Sequence, residues 1–178
     1  MELSTKRLVL RPFRKTDLPD IQRYAVRPEF YRYLPIPKQT PDTVAQFLEG
    51  RLNDRERGLD NRVTLAIELK ESQHVIGSVR IEVLDTTNQT GDIGFALDPD
   101  YQRQGYMTEA VRCVLDHGFN HLSLHRVWAI ADIENRPSWR LMERVGMQRE
   151  GHLRENIMMR GEWRDSYLYS KLASDQRI

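Results

Sequence analysis

Apolar residues recur along this chain in two spacings, and each spacing predicts a different kind of element. Alternating or continuous apolar runs that end at turn-forming residues are typical of strands. Such runs predict strands at residues 7–13, 63–69, 75–84, 92–97, 126–132, about 147–154 and 163–172. The short polar link at 70–74 favours an antiparallel hairpin, and a turn at 160–162 joins the last two strands.

Apolar residues three and four positions apart, next to capping residues, predict four helices. The first spans about residues 17–26, the second runs from the cap Thr40 to near Gly58, the third covers 105–121, and the fourth covers 135–146. The apolar face of the second helix consists of Val44, Phe47, Leu48 and Leu52. Two prolines interrupt the aromatic and apolar segment 31–37, which we therefore expect to be a stiff loop.

The predicted element order is βααβββαβαββ. This alternation indicates an α/β protein with a central mixed (α+β) sheet flanked by helices. A chain of 178 residues is long enough for one compact domain and too short for two of full size. We expect a single domain over residues 1–173, followed by a C-terminal tail at 174–178.

Composition and charge exclude several classes of function. The formal net charge is +1, without a block of like charges, so direct nucleic-acid binding is not expected. No apolar run approaches the roughly 18 residues of a membrane span. The chain carries one cysteine, Cys113, which cannot form an internal disulfide, and its first residues are charged rather than signal-like. We therefore expect a cytoplasmic protein.

The segment 94–109 carries the most chemical information. A predicted strand runs through a loop that contains Gly105 into the strongest predicted helix. Such a connection brings unpaired backbone N–H groups and the positive end of a helix dipole to one place, which suits a pyrophosphate. Ordinary strand-to-helix connections also have this form, so the pattern alone leaves both interpretations open.

The amino-acid sequence of that segment resembles a motif of a known family. Residues 102–107, Gln-Arg-Gln-Gly-Tyr-Met, are similar to the Q/R-x-x-G-x-G/A acetyl-CoA loop of the GNAT N-acetyltransferase superfamily. Further segments, at 92–102, 124–127, 135–138, 143–154 and 161–169, resemble its ribosomal-protein-alanine (RimJ/RimL-like) branch. The resemblance implies the GNAT acyl-CoA N-acyltransferase fold, acetyl-CoA as co-substrate, and direct transfer of the acetyl group to an amine. Members of the branch often form homodimers, so a homodimer is possible here.

The resemblance also implies which residues hold acetyl-CoA. The pantetheine arm would lie along one strand, the pyrophosphate in the loop after it, and further contacts would come from the start of the last helix. These residues are Phe95, Ala96 and Leu97; Gln102, Arg103, Gln104, Gly105, Tyr106, Met107 and Thr108; and Asn135 and Ser138. Two positions depart from the family pattern. Met107 stands where Gly or Ala is usual, and Met142 stands where many members have a proton-donating tyrosine.

Transfer to an amine needs a base, because only the neutral amine attacks the thioester carbonyl. The candidates are Asp92, at the start of the motif-bearing strand, and Glu82 on the neighbouring strand, with Asp92 ranked slightly ahead. Ser138 is the candidate acid for the departing thiolate. For the acceptor, we expect Tyr31, Tyr33 and Leu34 in the proline-containing loop to line its pocket.

The sequence leaves the acceptor open. A protein N-terminal α-amine, as in the ribosomal-protein branch, is the leading hypothesis. A small-molecule amine, such as a polyamine, an antibiotic or an amino-acid derivative, is the alternative within the same chemistry. A non-catalytic acyl-CoA-binding or interaction module is the alternative of another class. His117 and His121 lie four residues apart but lack an acidic or cysteine partner, so no metal is predicted.

Overall fold

The computed structural model describes residues 1–56 and 62–176, with 54–56 and 176 described by their backbone. Eight strands form one sheet in the order β1-β2-β3-β4-β5-β6-β8-β7. The strands are β1 Leu3–Ser4, β2 Leu8–Arg11, β3 Arg62–Leu69, β4 Val75–Asp85, β5 Thr90–Leu97, β6 Arg126–Asp132, β7 Gln148–Met159 and β8 Glu162–Leu172. The structure therefore confirms the mixed sheet that the pattern predicts.

Five α-helices accompany the sheet within these residues. They are α1 Leu18–Ala25, α2 Pro28–Tyr31, α3 Pro41–Glu56, α4 Tyr106–Asn120 and α5 Arg136–Arg144. Short 3-10 turns occupy Lys15–Asp17, Pro99–Tyr101 and Ala173–Gln176. None of the helices in the described part of the chain is both long enough and apolar enough to span a membrane.

Neighbouring strands are antiparallel everywhere except between β5 and β6, which are parallel. The β5–β6 pairing runs from Thr90 opposite Arg126 to Asp92 opposite Trp128 and then stops. Residues 93–97 of β5 and 129–132 of β6 continue as strands without pairing to each other. The sheet consequently opens into a wedge between these two strands.

Two apolar cores cover the two faces of the sheet. The larger core joins α4 and α5 to the sheet and contains Ile81, Val111 and Tyr169, each at most 1% exposed. The smaller core joins α1 and α3 to the opposite face, through residues such as Ile21 and Val44. Because alternate residues of a strand point to opposite faces, β3 contributes Leu65 and Ile67 to the larger core and Ala66 to the smaller one.

A buried ion cluster ties β2 to the smaller core. The guanidinium of Arg11 donates to both carboxylate oxygens of Asp17, at 2.9 and 2.8 Å, and to Glu68 at 2.6 Å. Asp17 also accepts the backbone N–H of Arg14 at 2.7 Å. These contacts raise the pKa of Arg11, the bond with Asp17 most of all, although burial opposes the shift. The cluster fixes the approach of the chain to α1.

The structure corrects several predicted boundaries in the first half of the chain. The strand predicted at 7–13 has four residues, because Pro12 lacks the N–H that a further ladder bond needs. The segment 31–37 is irregular except for Tyr31, which ends the one-turn helix α2. Phe47, on the predicted apolar face of the second helix, is 42% exposed, although its ring packs edge-on against Phe13. The predicted helix end near Gly58 lies outside the described residues.

The last strands also differ from their prediction. β7 extends to Met159 rather than ending near Arg154, because a bulge at residues 154–156 interrupts its pairing with β8 and the pairing then resumes at Ile157. Asp165 supports this bulge by accepting the N–H of Glu155 at 2.8 Å. The expected tail begins as a 3-10 turn, in which Asp175 accepts the N–H of Leu172 at 2.9 Å.

The Arg11 cluster yields a stability prediction. Asp17→Asn removes the negative charge of the nearly inaccessible Arg11–Asp17 pair. We expect the free energy of unfolding to fall by about 3 kcal/mol, which is the lower end of the range for broken buried ion pairs. The lower end applies because Glu68 still pairs with Arg11. Equilibrium denaturation in urea measures the change. Glu29→Gln is the matched control, because Glu29 is exposed. A loss for Asp17→Asn no larger than that of the control would contradict the assignment.

Candidate active site

A cavity of about 300 Å³ lies at the wedge between β5 and β6. Residues from four directions line it: the loop after α2, strands β4 to β6, the start of α5, and the β7–β8 hairpin. The sequence-predicted residues in its wall are Tyr33, Leu34, Asp92, Phe95, Asn135 and Ser138. The fold therefore brings candidates for acceptor, base, acid and co-substrate contacts to one place.

Other predicted residues lie elsewhere. Glu82 is outside the cavity lining. Tyr31 is 7% exposed, and its side chain is not part of the wall. Ala96 and Leu97 follow Phe95 in the part of β5 that pairs with β4 but not with β6. The predicted phosphate loop, residues 102–108, lies outside the cavity at the start of α4.

The candidate bases share one arginine. Arg80 donates to both oxygens of Asp92, at 2.8 and 2.5 Å, and to Glu82 at 2.5 Å. Glu82 also pairs with Arg62 at 3.1 Å. Arg80 lies across Gly94, where an added Cβ would come within 3.3 Å of its guanidinium. Asp92 thus lies in the cavity wall, with its carboxylate held in place and its charge balanced by Arg80.

A second arginine and carboxylate cluster stands at the end of β6. Arg164 donates to Asp132 at 2.9 and 3.2 Å and to Glu134 at 2.6 Å. Asp132 has an almost inaccessible side chain and also accepts the N–H of Glu134 at 2.8 Å. These bonds, the one with Asp132 most of all, raise the pKa of Arg164 above its ordinary value. Both arginines in the cavity wall are therefore paired with carboxylates.

The start of α5 presents polar groups to the cavity. Asn135 caps the helix, because its side-chain oxygen accepts the N–H of Ser138 at 3.4 Å. The hydroxyl of Ser138 has no hydrogen-bond partner in the described part of the chain. One turn further along, Met142 is 1% exposed and packs into the larger core while reaching the cavity wall. The amide of Asn135 and the hydroxyl of Ser138 can therefore donate hydrogen bonds at the wedge, whereas the thioether of Met142 has no proton to donate.

The loop before α4 has the backbone of an anion-binding site. Gly105, the N-cap residue, has φ +82°, a left-handed conformation that glycine adopts at little cost. No side chain caps the helix, so the N–H groups of its first turn, at 106–108, are free to bind a ligand. Met107 is 6% exposed and belongs to the larger core. The side chain of Met107, which departs from the family pattern, therefore points into the core and away from the loop.

Residues near the N-terminus fasten this loop. Arg7 donates to the carbonyl oxygen of Gln104 at 3.0 Å and to Glu109 at 2.8 Å, and its guanidinium lies 4.3 Å above the ring of Tyr106. Glu109 also accepts from the hydroxyl of Thr5 at 2.6 Å. Burial opposes ionisation of Glu109, but the bonds from Thr5 and Arg7 outweigh it and lower its pKa. The loop conformation thus depends on contacts about a hundred residues away in sequence.

Sequence reasoning missed the arginines of the site. Arg80 could have been found, because an antiparallel pairing of 75–84 with 92–97 places Glu82 opposite Asp92 and Arg80 on the same face. Arg164 and Asp132 meet across the β6–β8 pairing, which nothing in the local sequence indicates. His117 and His121 stack with their ring centroids 4.9 Å apart, and the described residues contain no group of three or more potential metal ligands.

Comparison with known proteins identifies the family. The model of the "Acetyltransferase (GNAT) domain" matches residues 7–148. The chain therefore belongs to the GNAT acetyltransferases. It is 31% identical to "Uncharacterized N-acetyltransferase YnaD" of Bacillus subtilis, over 98% of this chain and 99% of that protein. A GNAT-family acetyltransferase structure from Bacillus anthracis superposes with a TM-score of 0.87 at 28% identity, covering 98% of this chain and 99% of that one.

Two further relatives carry names that mention an acceptor. "Putative ribosomal N-acetyltransferase YdaF" of Bacillus subtilis is 30% identical, over 75% of this chain and 73% of that protein. "Spermidine N(1)-acetyltransferase" of Escherichia coli is 26% identical, over 51% of this chain and 48% of that protein. The protein is an acetyl-CoA-dependent N-acetyltransferase of the GNAT type, and the predicted family and fold are confirmed.

The hydrogen bonds that Glu109 accepts from Thr5 and Arg7 beside the phosphate loop yield a pH-dependent prediction. The folded-state pKa of Glu109 lies below the ordinary 4.5, so its ionised form stabilises the fold above that pH. We expect Glu109→Gln to lose about 1 kcal/mol of unfolding free energy at pH 7. The difference from the wild type should shrink as the pH falls from 4.5 through the lower folded-state pKa.

Denaturant unfolding between pH 3 and pH 7 measures this difference. Glu49→Gln, at an exposed position of α3, is the control and should show little change at any pH. A difference for Glu109→Gln that stays constant across the range would contradict the role assigned to its charge.

Proposed function

We propose that this enzyme acetylates the α-amino group of a protein or peptide N-terminus. The observation that carries the proposal is the internal pairing of charge in the cavity wall. Arg80 pairs with Asp92, Arg164 pairs with Asp132, and most of the remaining lining is apolar. A cavity of this kind suits a single amine carried next to an apolar or small side chain. A substrate with several ammonium groups would need several unpaired carboxylates.

The chemistry of the amine supports the same acceptor. From reference pKa values, roughly 10% of an α-amino group is neutral at pH 7, against well under 0.1% of a lysine side chain. An N-terminal amine therefore needs less help from a base than a lysine or polyamine nitrogen. The similarity to YdaF, whose name mentions ribosomal acetylation, is consistent with this acceptor.

The wedge and the loop before α4 supply what acetyl-CoA requires. The free edge of β5 at 93–97 offers backbone groups to the amides of the pantetheine arm, in the manner of an added strand. The uncapped N-terminus of α4 offers N–H groups to the pyrophosphate. Gln102, Arg103 and Gln104, which the sequence predicts to contact the co-substrate, belong to this loop and are exposed. Asn135 and Ser138 face the same wedge from α5.

Within this arrangement, Asp92 is the base that we propose. It lines the cavity, whereas Glu82 does not. Because Arg80 occupies both carboxylate oxygens at 2.8 and 2.5 Å, we infer that Asp92 receives the amine proton through a water molecule. Ser138 is the proposed proton donor to the departing thiolate, since its hydroxyl is free within the described residues and Met142 cannot donate.

A polyamine is the second candidate acceptor. Arg164 pairs with both Asp132 and Glu134, so this cluster carries one carboxylate more than it has guanidinium groups. Glu134 is largely exposed, with 62% of its side chain accessible. An excess negative charge beside the cavity would attract a second ammonium group. The partial similarity to spermidine acetyltransferase agrees with this alternative.

We further propose that the enzyme works in the cytoplasm, because its single cysteine cannot form an internal disulfide. A homodimer, which the family resemblance implies, remains a prediction. Its test is the mass of the purified protein in solution, measured by light scattering over a range of concentrations.

The acceptor proposal predicts a specific order of activities. We expect peptides that begin with a small residue and contain one internal lysine to be acetylated at the N-terminus, with at least tenfold higher kcat/KM than spermidine. Thiol release measures the rate, and mass spectrometry of fragments locates the acetyl group. The same peptide with a blocked N-terminus is the control and should be inert. A higher kcat/KM for spermidine would instead support the second candidate.

The assignment of the base predicts a separation between turnover and binding. We expect Asp92→Asn to lower kcat about a hundredfold, within the range typical of general bases. The acetyl-CoA dissociation constant, measured by calorimetry, should stay within about twofold, because the phosphate loop is untouched. Glu82→Gln is the control and should lower kcat less. An unchanged kcat for Asp92→Asn would remove this residue from the mechanism.

A further inference from the structure

The turn between β7 and β8 has an unusual backbone for its sequence. Met159 pairs with Glu162, so Arg160 and Gly161 form a two-residue turn, with φ +53° and +88°. Two positive φ values in such a turn are typical of type I′, which Asn-Gly forms readily. Arginine is a poor choice for the first position, because its Cβ is strained at positive φ. A strained residue that persists invites a search for its function.

The side chain of Arg160 gives a reason for its presence. Its guanidinium donates to the backbone carbonyl oxygens of Tyr31 at 3.2 Å, of Leu34 at 3.3 Å and of Ile36 at 3.4 Å. It also donates to the carbonyl oxygen of Arg32. Nη1 makes the first three contacts and Nη2 makes the fourth, so both terminal nitrogens of the planar guanidinium are used, whereas a lysine offers one nitrogen. One side chain thus gathers the carbonyl groups at the end of α2 and in the loop after it.

This loop forms one side of the cavity. Tyr33, Leu34 and Pro35 line it from the loop, and Ile157 and Met159 line it from the hairpin that carries Arg160. The two segments lie about 125 residues apart in sequence. The guanidinium of Arg160 joins the loop to the hairpin, so the position of Tyr33 and Leu34 relative to Met159 depends on this side chain.

We propose that Arg160 is a positioning residue that holds the acceptor wall closed and thereby sets the affinity for the acceptor amine. It touches neither the co-substrate loop at 102–108 nor the carboxylate of Asp92. Its effect is to fix the loop 32–36 against the hairpin, so that the acceptor binds in a preformed cavity. The inference rests on the proposed use of this cavity for the acceptor.

The turn geometry supplies a variant that separates positioning from folding. Arg160→Asn removes the guanidinium but places Asn-Gly in a type I′ turn, which favours the hairpin. We therefore expect its thermal unfolding midpoint to equal or exceed that of the wild type. Arg160→Lys keeps the charge and loses the fork, so its properties should be intermediate. Lys15→Ala, which removes one positive charge at an exposed position outside the cavity wall, is the control.

Two measurements test the proposal. We expect the KM of Arg160→Asn for the acceptor peptide to rise about tenfold or more, with kcat changed less and the acetyl-CoA dissociation constant within twofold. Hydrogen exchange should show faster exchange at 31–37 in this variant, without a change in α4. Lys15→Ala should match the wild type in both measurements.

The outcomes distinguish this proposal from the proposed function. If Arg160→Asn keeps the wild-type exchange at 31–37, or keeps the wild-type KM for an acceptor that the enzyme does acetylate, the positioning role is wrong. If the acceptor KM and acetyl-CoA affinity weaken together, the residue supports the whole fold rather than the acceptor wall. If the wild type acetylates neither peptide nor spermidine, the proposed acceptors are wrong, and the exchange measurement alone decides the role of Arg160.

Discussion

The arrangement of this site depends on where the parallel pairing of β5 and β6 stops. Three residue pairs hold the two strands together, and beyond Asp92 and Trp128 they diverge. Backbone N–H and C=O groups left on such an edge must find another partner or solvent. The opening also lets α5 reach the cavity from one face of the sheet while the loop after α2 closes it from the other. A continuous sheet would separate these elements.

Arginine and carboxylate clusters provide the second constraint. On either side of the wedge, a guanidinium is shared between two carboxylates, at Arg80 and at Arg164. Half-buried charges keep fixed positions when opposite charges and hydrogen bonds balance them. The cavity can therefore be polar at defined points and apolar elsewhere. If the cavity holds the acceptor, as we propose, this combination restricts which amines bind there, whereas the fold alone does not.

Much of the fold could be predicted because its signals are local. Pro137 and Gly146 bracket α5, and the apolar stripe of α4 is regular, so both helices lie where the pattern places them. The bulge in β7 and the exposure of Phe47 depend on contacts with distant elements, which no local pattern contains. The site divides in the same way: Asp92, Phe95 and Asn135 belong to contiguous motifs, while Arg160 reaches its partners through tertiary structure.

The bulge at 154–156 has a consequence for the edge of the sheet. β7 is the outermost strand, and an unbroken edge offers a template on which other chains can add strands. In this strand, residues 154–156 leave the regular ladder, Glu155 has φ +47°, and Asp165 takes its N–H. The pattern of free donors and acceptors is thereby broken midway along the strand. A bulge in an edge strand interrupts the regular template for edge-to-edge pairing, so this irregularity works against the addition of further strands to β7.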